Sequence, residues 1–300
     1  MPSCSTTFYI RRIIMFSIAA EVRNTLGECP LWCERTRRLY WTDIEASELL
    51  AIEEGNDAVM RWSLPERLGS FALTEQSHIL LMGFASRLAF YDLNSGLITP
   101  VAASPGGTGT RIGDGRCDRA GNFVFGTMDD GYPVKVIGKF HRLNAATLTV
   151  EMLALPDVAI PNSICFSPDG GTLYYCDSMQ GRIMCCDYPS LQNQRVFAES
   201  EGSGAPDGSC VDEMGYLWNA EWGGNRVVRY RPDGTTDVIL TSPGIQSTCP
   251  TLAGEGFTRL YCTTATVGLT ALSEYDGALL KAKSDLSPGL PENRFAAHTV

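Results

Sequence analysis

Short apolar runs broken by polar turns recur along the whole chain with a long period. The clearest copy is Ala205-Pro206-Asp207-Gly208-Ser209-Cys210-Val211-Asp212-Glu213-Met214-Gly215-Tyr216-Leu217-Trp218, which is an apolar run, a tight turn and the start of a second run. Ile160-Pro161-Asn162-Ser163-Ile164-Cys165-Phe166-Ser167-Pro168-Asp169-Gly170 repeats it ahead of Leu173, and Arg111-Ile112-Gly113-Asp114-Gly115-Arg116-Cys117-Asp118 ahead of Phe123. Leu26-Gly27-Glu28-Cys29-Pro30-Leu31-Trp32 precedes Leu39 in the same way, and fainter copies begin at Arg67 and Ser247. The six units lie roughly 40 to 50 residues apart, the period of propeller blades. Within each unit, strand-length runs bounded by Pro-Asp-Gly or Asn-Ser-Gly turns predict a strand, a turn, a second strand and then a third. No stretch has the pattern of a long amphipathic helix. The expected fold class is all-β, a six-bladed β-propeller with a central channel.

Aligning the units on Leu39, Phe123, Leu173 and Leu217 brings Glu28, Gly113, Asn162 and Asp207 to one repeat position, with one residue of slack in the turn. The first strand of each blade lines a propeller's channel, so this position aims several side chains at one spot on the axis. Three of the four carry oxygen donors. Two carboxylates converging in a low-dielectric wall repel, and a divalent cation relieves that repulsion. Oxygen-only ligands suit calcium, magnesium or manganese, with zinc and ferrous iron also open. Taken singly, each of the three is equally explained as a strand-start residue bonding local backbone.

At these residues the chain resembles the SMP-30/gluconolactonase family, also called the regucalcin family. The resemblance rests on Leu26-Gly27-Glu28-Cys29-Pro30-Leu31-Trp32, Arg111-Ile112-Gly113-Asp114-Gly115, Pro161-Asn162-Ser163, Ser167-Pro168-Asp169-Gly170 and Pro206-Asp207-Gly208, and runs from about residue 21 to 268. It implies a six-bladed propeller, one divalent cation held by Glu28, Asn162 and Asp207, and hydrolysis of sugar lactones to aldonic acids. Cys176-Asp177-Ser178 and the segment from Trp218 to Gly224 look most like bacterial aldonolactonases acting on arabinono-, galactono- or xylonolactone. The resemblance also places Arg111 and Gly113 against substrate. Several relatives carry an Asn at the position of Gly113, so the contacts to sugar hydroxyls are expected to differ here. A further substrate-contacting acid of some relatives falls strictly on Gly131, leaving Asp130, or Asp129, as its stand-in.

Composition removes other classes. The 300 residues are 44% hydrophobic, enough for one large all-β domain, expected over residues 21–300 after an extension of residues 1–20. The formal net charge is -10 with no basic stripe, which argues against a nucleic-acid partner. No apolar run is long enough to span a membrane. Arg11-Arg12 before the apolar residues 13–20 faintly resembles a signal peptide, but residues 14–22 read better as a strand that closes the ring. The 11 cysteines are odd in number, lack a Cys-x-x-Cys pair and sit largely inside apolar strands, as Cys165, Cys176, Cys210 and Cys262 do. That usage points to free thiols in a reducing cytoplasm. Cys29 and Cys249 fall beside the channel, where packing is their expected role. His78, His141 and His298 all lie outside the repeated channel motif, and Gly-x-Ser-x-Gly is absent, so no Ser-His-Asp triad is expected. Trp41, Trp218 and Trp222 read as packing between blades, with Trp222 also placed to stack on a sugar. After Leu269 the repeat fades into one closing strand, residues 277–283, and a loose tail.

The expected reaction is therefore cation-assisted hydrolysis of an aldonolactone, with Asp207 as general base and a small-molecule sugar lactone as the partner, no protein partner being required. A carboxylate tied to a cation is a weak base, so a water activated by the cation is the competing nucleophile. Two other readings remain at this level: an arylesterase- or phosphotriesterase-like propeller, which is expected to have more channel ligands and a His base, and a calcium-binding or interaction propeller without catalysis.

Overall fold

The computed structural model describes residues 15–297. Six four-stranded antiparallel sheets form a ring. Their inner strands are Gly27–Cys33, Leu68–Leu73, Thr110–Cys117, Pro161–Phe166, Ala205–Val211 and Ser247–Ala253, for blades 1 to 6 in order. Each is followed by two strands that sequence periodicity detects. The outermost strands, such as Ile98–Ala103 and Thr236–Thr241, escape that reading because their faces are largely solvated and carry no clean apolar alternation. Among the described residues the helical content is two 3-10 turns.

The core is divided into six apolar clusters, one in each cleft between neighbouring blades. Alternation along the strands feeds two clefts at once. The adjacent Cys185 and Cys186 illustrate it: one packs between blades 4 and 5, the other between blades 3 and 4. All ten described cysteines are free and buried.

Ring closure joins the two ends of the chain. Ser17–Ala20 pairs with Leu279–Lys283 as the outer strand of blade 6. The residues after it are not a loose tail. They cross the face of the ring remote from Glu28 and Asp207, and Phe295 is fully buried against blade 2, in a parallel bridge with Thr74. On the way Glu292 takes a salt bridge from Arg116 at 2.6 Å, and the Nδ2 of Asn293 donates to the Cys117 carbonyl at 3.0 Å. Sequence periodicity misses this segment because it is held by single side chains and isolated backbone bonds rather than by a ladder.

His141 in blade 3 shows a cost of burial. Its ring stacks on Phe125 at 5.5 Å and meets the Thr127 hydroxyl at 3.3 Å. Burial, with the Lys139 charge added, lowers its pKa from 6.5 to about 4. The unfolded chain therefore binds more protons between those two values, and stability falls as pH falls through that window. His141→Phe is expected to recover on the order of 2 kcal/mol of the stability that the parent loses on acidification, since each pKa unit is worth about 1.36 kcal/mol. Urea unfolding of both proteins at neutral pH and near pH 4 checks this; equal acid losses would contradict it.

Candidate active site

Inner strands of neighbouring blades share no ladder, so side chains tie them together around the channel. Thr248 of blade 6 donates to the Gly27 carbonyl at 2.6 Å, Ser70 of blade 2 to that of Gly113 at 2.7 Å, and Ser163 of blade 4 to that of Asp207 at 2.6 Å. Between blades 3 and 4 the link is Asp114, whose Oδ2 accepts from the Ile164 amide at 2.9 Å.

Every inner strand also carries an irregularity near its start. In five of the six blades two inner-strand residues face one residue of the next strand across it. Such bulges bend a strand and re-aim consecutive side chains. They account for the one residue of slack in the sequence alignment. Glu28 and Asn162 are the last paired residues before the bulge, opposite Thr42 and Cys176. Asp207 and Gly113 are the first residues inside it, after Pro206 and Ile112. Gly208 follows Asp207 because a Cβ there would collide with Cys249 of blade 6.

The result is one cavity of about 290 Å³ at this end of the channel. Glu28, Asn162, Asp207, Arg111 and Gly113 all line it, together with Asp114, Ser178 and Trp222. Trp41 and Trp218 are instead fully buried, their indole N–H groups spent on Asn24 and Asp212. Cys29 and Cys249 are buried behind the wall and do not line the cavity. Neither does any described histidine.

Asp130 is the sequence-predicted residue that the structure leaves outside. Its carboxylate pairs with Arg67 at 2.5 Å and stands 3.7 Å from the Nε of Arg111. The second strand of blade 3 ends at Asp129, whose own carboxylate accepts from the amides of Gly131 and Lys135 and so caps the following loop. Asp130 points the other way, toward the arginines. Arg111 itself is mostly enclosed, its side chain 12% exposed. Among the described residues it also donates to the Ile112 carbonyl at 3.3 Å, so its charge is only loosely satisfied.

The electrostatics centre on the carboxylates. Burial, and then the charge of Asp114, push Glu28 up to about 8. Burial raises Asp207 well above the carboxylate range, with Glu28 and Asp114 adding to it. Glu28 and Asp207 lie close enough that the titration of one shifts the other. Asp114 is also raised by burial. Asp114 was not among the sequence-predicted site residues; its place directly after Gly113, in a bulge that turns successive side chains inward, is the signal that points to it.

Among the described residues no three His, Cys, Asp or Glu side chains converge closely enough to hold an ion by themselves. The donor set fits a hard cation only with the amide included. Asn162 donates from Nδ2 to the Ser178 hydroxyl at 2.9 Å, which leaves its oxygen as the atom available to the cavity. Two neighbouring carboxylates with depressed acidity and one amide oxygen make a site that a divalent cation suits.

Residues 26–266 match the SMP-30/Gluconolactonase/LRE-like region. The chain belongs to the SMP-30/gluconolactonase family. Within that family it is 49% identical over 259 residues to L-arabinolactonase of Azospirillum brasilense, covering 85% of each chain. It is 31% identical to 6-deoxy-6-sulfogluconolactonase of Pseudomonas putida, covering 91% of this chain and 96% of the relative. Among solved structures, a calcium-binding regucalcin from Agrobacterium tumefaciens superposes with a TM-score of 0.83 at 28% identity, over 92% of this chain and 97% of the other. A luciferin-regenerating enzyme, 23% identical, shares the fold with a TM-score of 0.87 over 94% and 99% of the two chains. The six-bladed ring is thus the family's architecture.

Proposed function

We propose that this protein hydrolyses an aldonolactone to its aldonic acid. The observation that carries the reading is the convergence of Glu28, Asn162 and Asp207 on one cavity in a chain 49% identical to an L-arabinolactonase. Glu28, Asp207 and the Asn162 oxygen would hold a divalent cation, which when bound supplies Lewis-acid polarisation of the lactone carbonyl.

Asp207 takes the proton from a water whose oxygen attacks the lactone carbonyl carbon. Burial beside Glu28 and Asp114 raises the Asp207 carboxyl in the cation-free protein, and a bound cation would offset that rise, so that the carboxylate form needed to accept the proton is the one present. The tetrahedral oxyanion collapses, the ring carbon–oxygen bond breaks, and the departing ring oxygen takes the proton that Asp207 received from the water, becoming a hydroxyl and restoring the carboxylate. Arg111 offers a loosely paired positive charge to the lactone's oxygens and to the product carboxylate. Asp130 acts on substrate only through Arg111, by holding its guanidinium. Gly113 adds no side chain to the wall: a Cβ there would meet its nearest neighbour, Pro161, only at 3.4 Å, so the space is available to substrate. Trp222 gives the wall an aromatic face for a sugar ring.

A panel of arabinono-, galactono-, xylono- and gluconolactone, followed by acid release with and without chelator, tests this. Turnover is expected on at least one lactone, with a loss of about 10²-fold or more on chelation and recovery on adding a divalent salt. Calcium binding without turnover on any lactone would replace the reading with a non-enzymatic propeller.

A further inference from the structure

We propose that Ser178 is the positioning residue that sets the orientation of both Asn162 and Asp207, an inference that rests on the cation-binding reading of those two residues. One hydroxyl serves two inner strands. Its oxygen accepts from Asn162 Nδ2 at 2.9 Å and donates to the Pro206 carbonyl at 2.7 Å. Asn162 belongs to blade 4, and Pro206 is the residue before Asp207 in blade 5. No other side-chain hydroxyl at the cavity wall joins the backbone beside one of the proposed ligands to the side chain of another.

The hydroxyl is itself rigidly held. Ser178 opens a 3-10 turn, Ser178–Gln180, whose start is capped by Asp177. Asp177 Oδ1 accepts from the Met179 amide at 3.2 Å and the Ile160 amide at 3.1 Å, and Oδ2 from the Ala159 amide at 3.0 Å. The Ser178 amide donates to the Ile160 carbonyl at 3.0 Å. Turn and strand start are thereby locked together, and the hydroxyl has little freedom to follow a moving partner.

The chemical consequence lies in the amide. Asn162 presents an oxygen and a nitrogen of similar shape, and only the oxygen suits a cation. With Ser178 accepting from the nitrogen, the amide has one orientation. Without it, either end faces the cavity, and the ligand set falls to two carboxylates for part of the time. Partners that orient a ligand in this way typically govern metal affinity by about 10- to 100-fold.

The test compares wild-type, Ser178→Ala and Ser178→Thr proteins by calorimetric titration with manganese chloride and calcium chloride, alongside thermal melts and lactone kinetics at low and saturating manganese. Ser178→Ala is expected to bind both ions about tenfold or more weakly. Its turnover should fall at low manganese and return toward the wild-type value at saturation. Ser178→Thr, which keeps the hydroxyl, should restore affinity. A Ser178→Ala protein with wild-type ion affinity overturns the proposal, and so does a loss that Thr fails to restore or that saturating ion fails to rescue. If the wild-type protein binds neither ion, the cation-binding reading itself fails, and the two failures are told apart by the wild-type titration alone.

Discussion

Asp207→Asn is expected to lower kcat for lactone hydrolysis by about 10³-fold or more, since the change removes a general base and a charged ligand together. Asn keeps the shape and removes both the proton acceptor and the charge. The fold should not suffer. Asp207 is buried beside two other acids, Glu28 and Asp114, where desolvation and repulsion both disfavour a charge, so a neutral amide suits the cation-free pocket at least as well. Neutralising it is expected to leave the melting temperature of the cation-free protein unchanged or raised, as is usual when a site residue is placed for function at a cost in stability. Initial rates and a thermal melt on the same preparation check both halves. A kcat within tenfold of the parent would remove Asp207 from the reaction.

Arg116→Met is expected to cost about 3 kcal/mol or more of folding stability, the usual penalty for leaving one member of a buried ion pair without the other. Arg116 lies near the axis: its charge reaches the thiols of Cys29, Cys165, Cys210 and Cys249, which come from four other blades. Among the described residues its ion-pair partner is Glu292 of the C-terminal segment, at 2.6 Å, with both side chains mostly buried at 9% and 13% exposure. Its Nε has no hydrogen-bond partner among the described residues. The single change strands Glu292; the double change to Met and Gln removes both charges and should recover most of the loss. Urea unfolding of the four proteins of this cycle gives the coupling directly. Strictly additive losses would mean that the pair does not hold the segment in place.

Much of the cavity lining was legible in the sequence. Glu28, Asn162, Asp207, Arg111 and Gly113 line one cavity because the blade repeat carries strand register with it, and register decides which side chains face the axis. What the repeat could not carry is the bulge, which advances Asp207 by one position relative to Glu28 and Asn162 and turns Asp114 inward. Asp130 was misplaced for a related reason: past the strand's end, alternation no longer applies and the cap made by Asp129 decides the direction. The outer strands and the C-terminal segment escaped because neither has a periodic apolar face. Ser178 was visible only as part of a motif, since its role is a pair of contacts between blades rather than a spacing in sequence.

The C-terminal segment has a further consequence. Glu292, Asn293 and the guanidinium of Arg116 line the end of the bore remote from Glu28 and Asp207, and ligand is expected to enter and leave at the opposite end. Under the proposed hydrolysis the open-chain acid leaves the same cavity that the lactone enters, so accumulated product is expected to compete with substrate for the free protein.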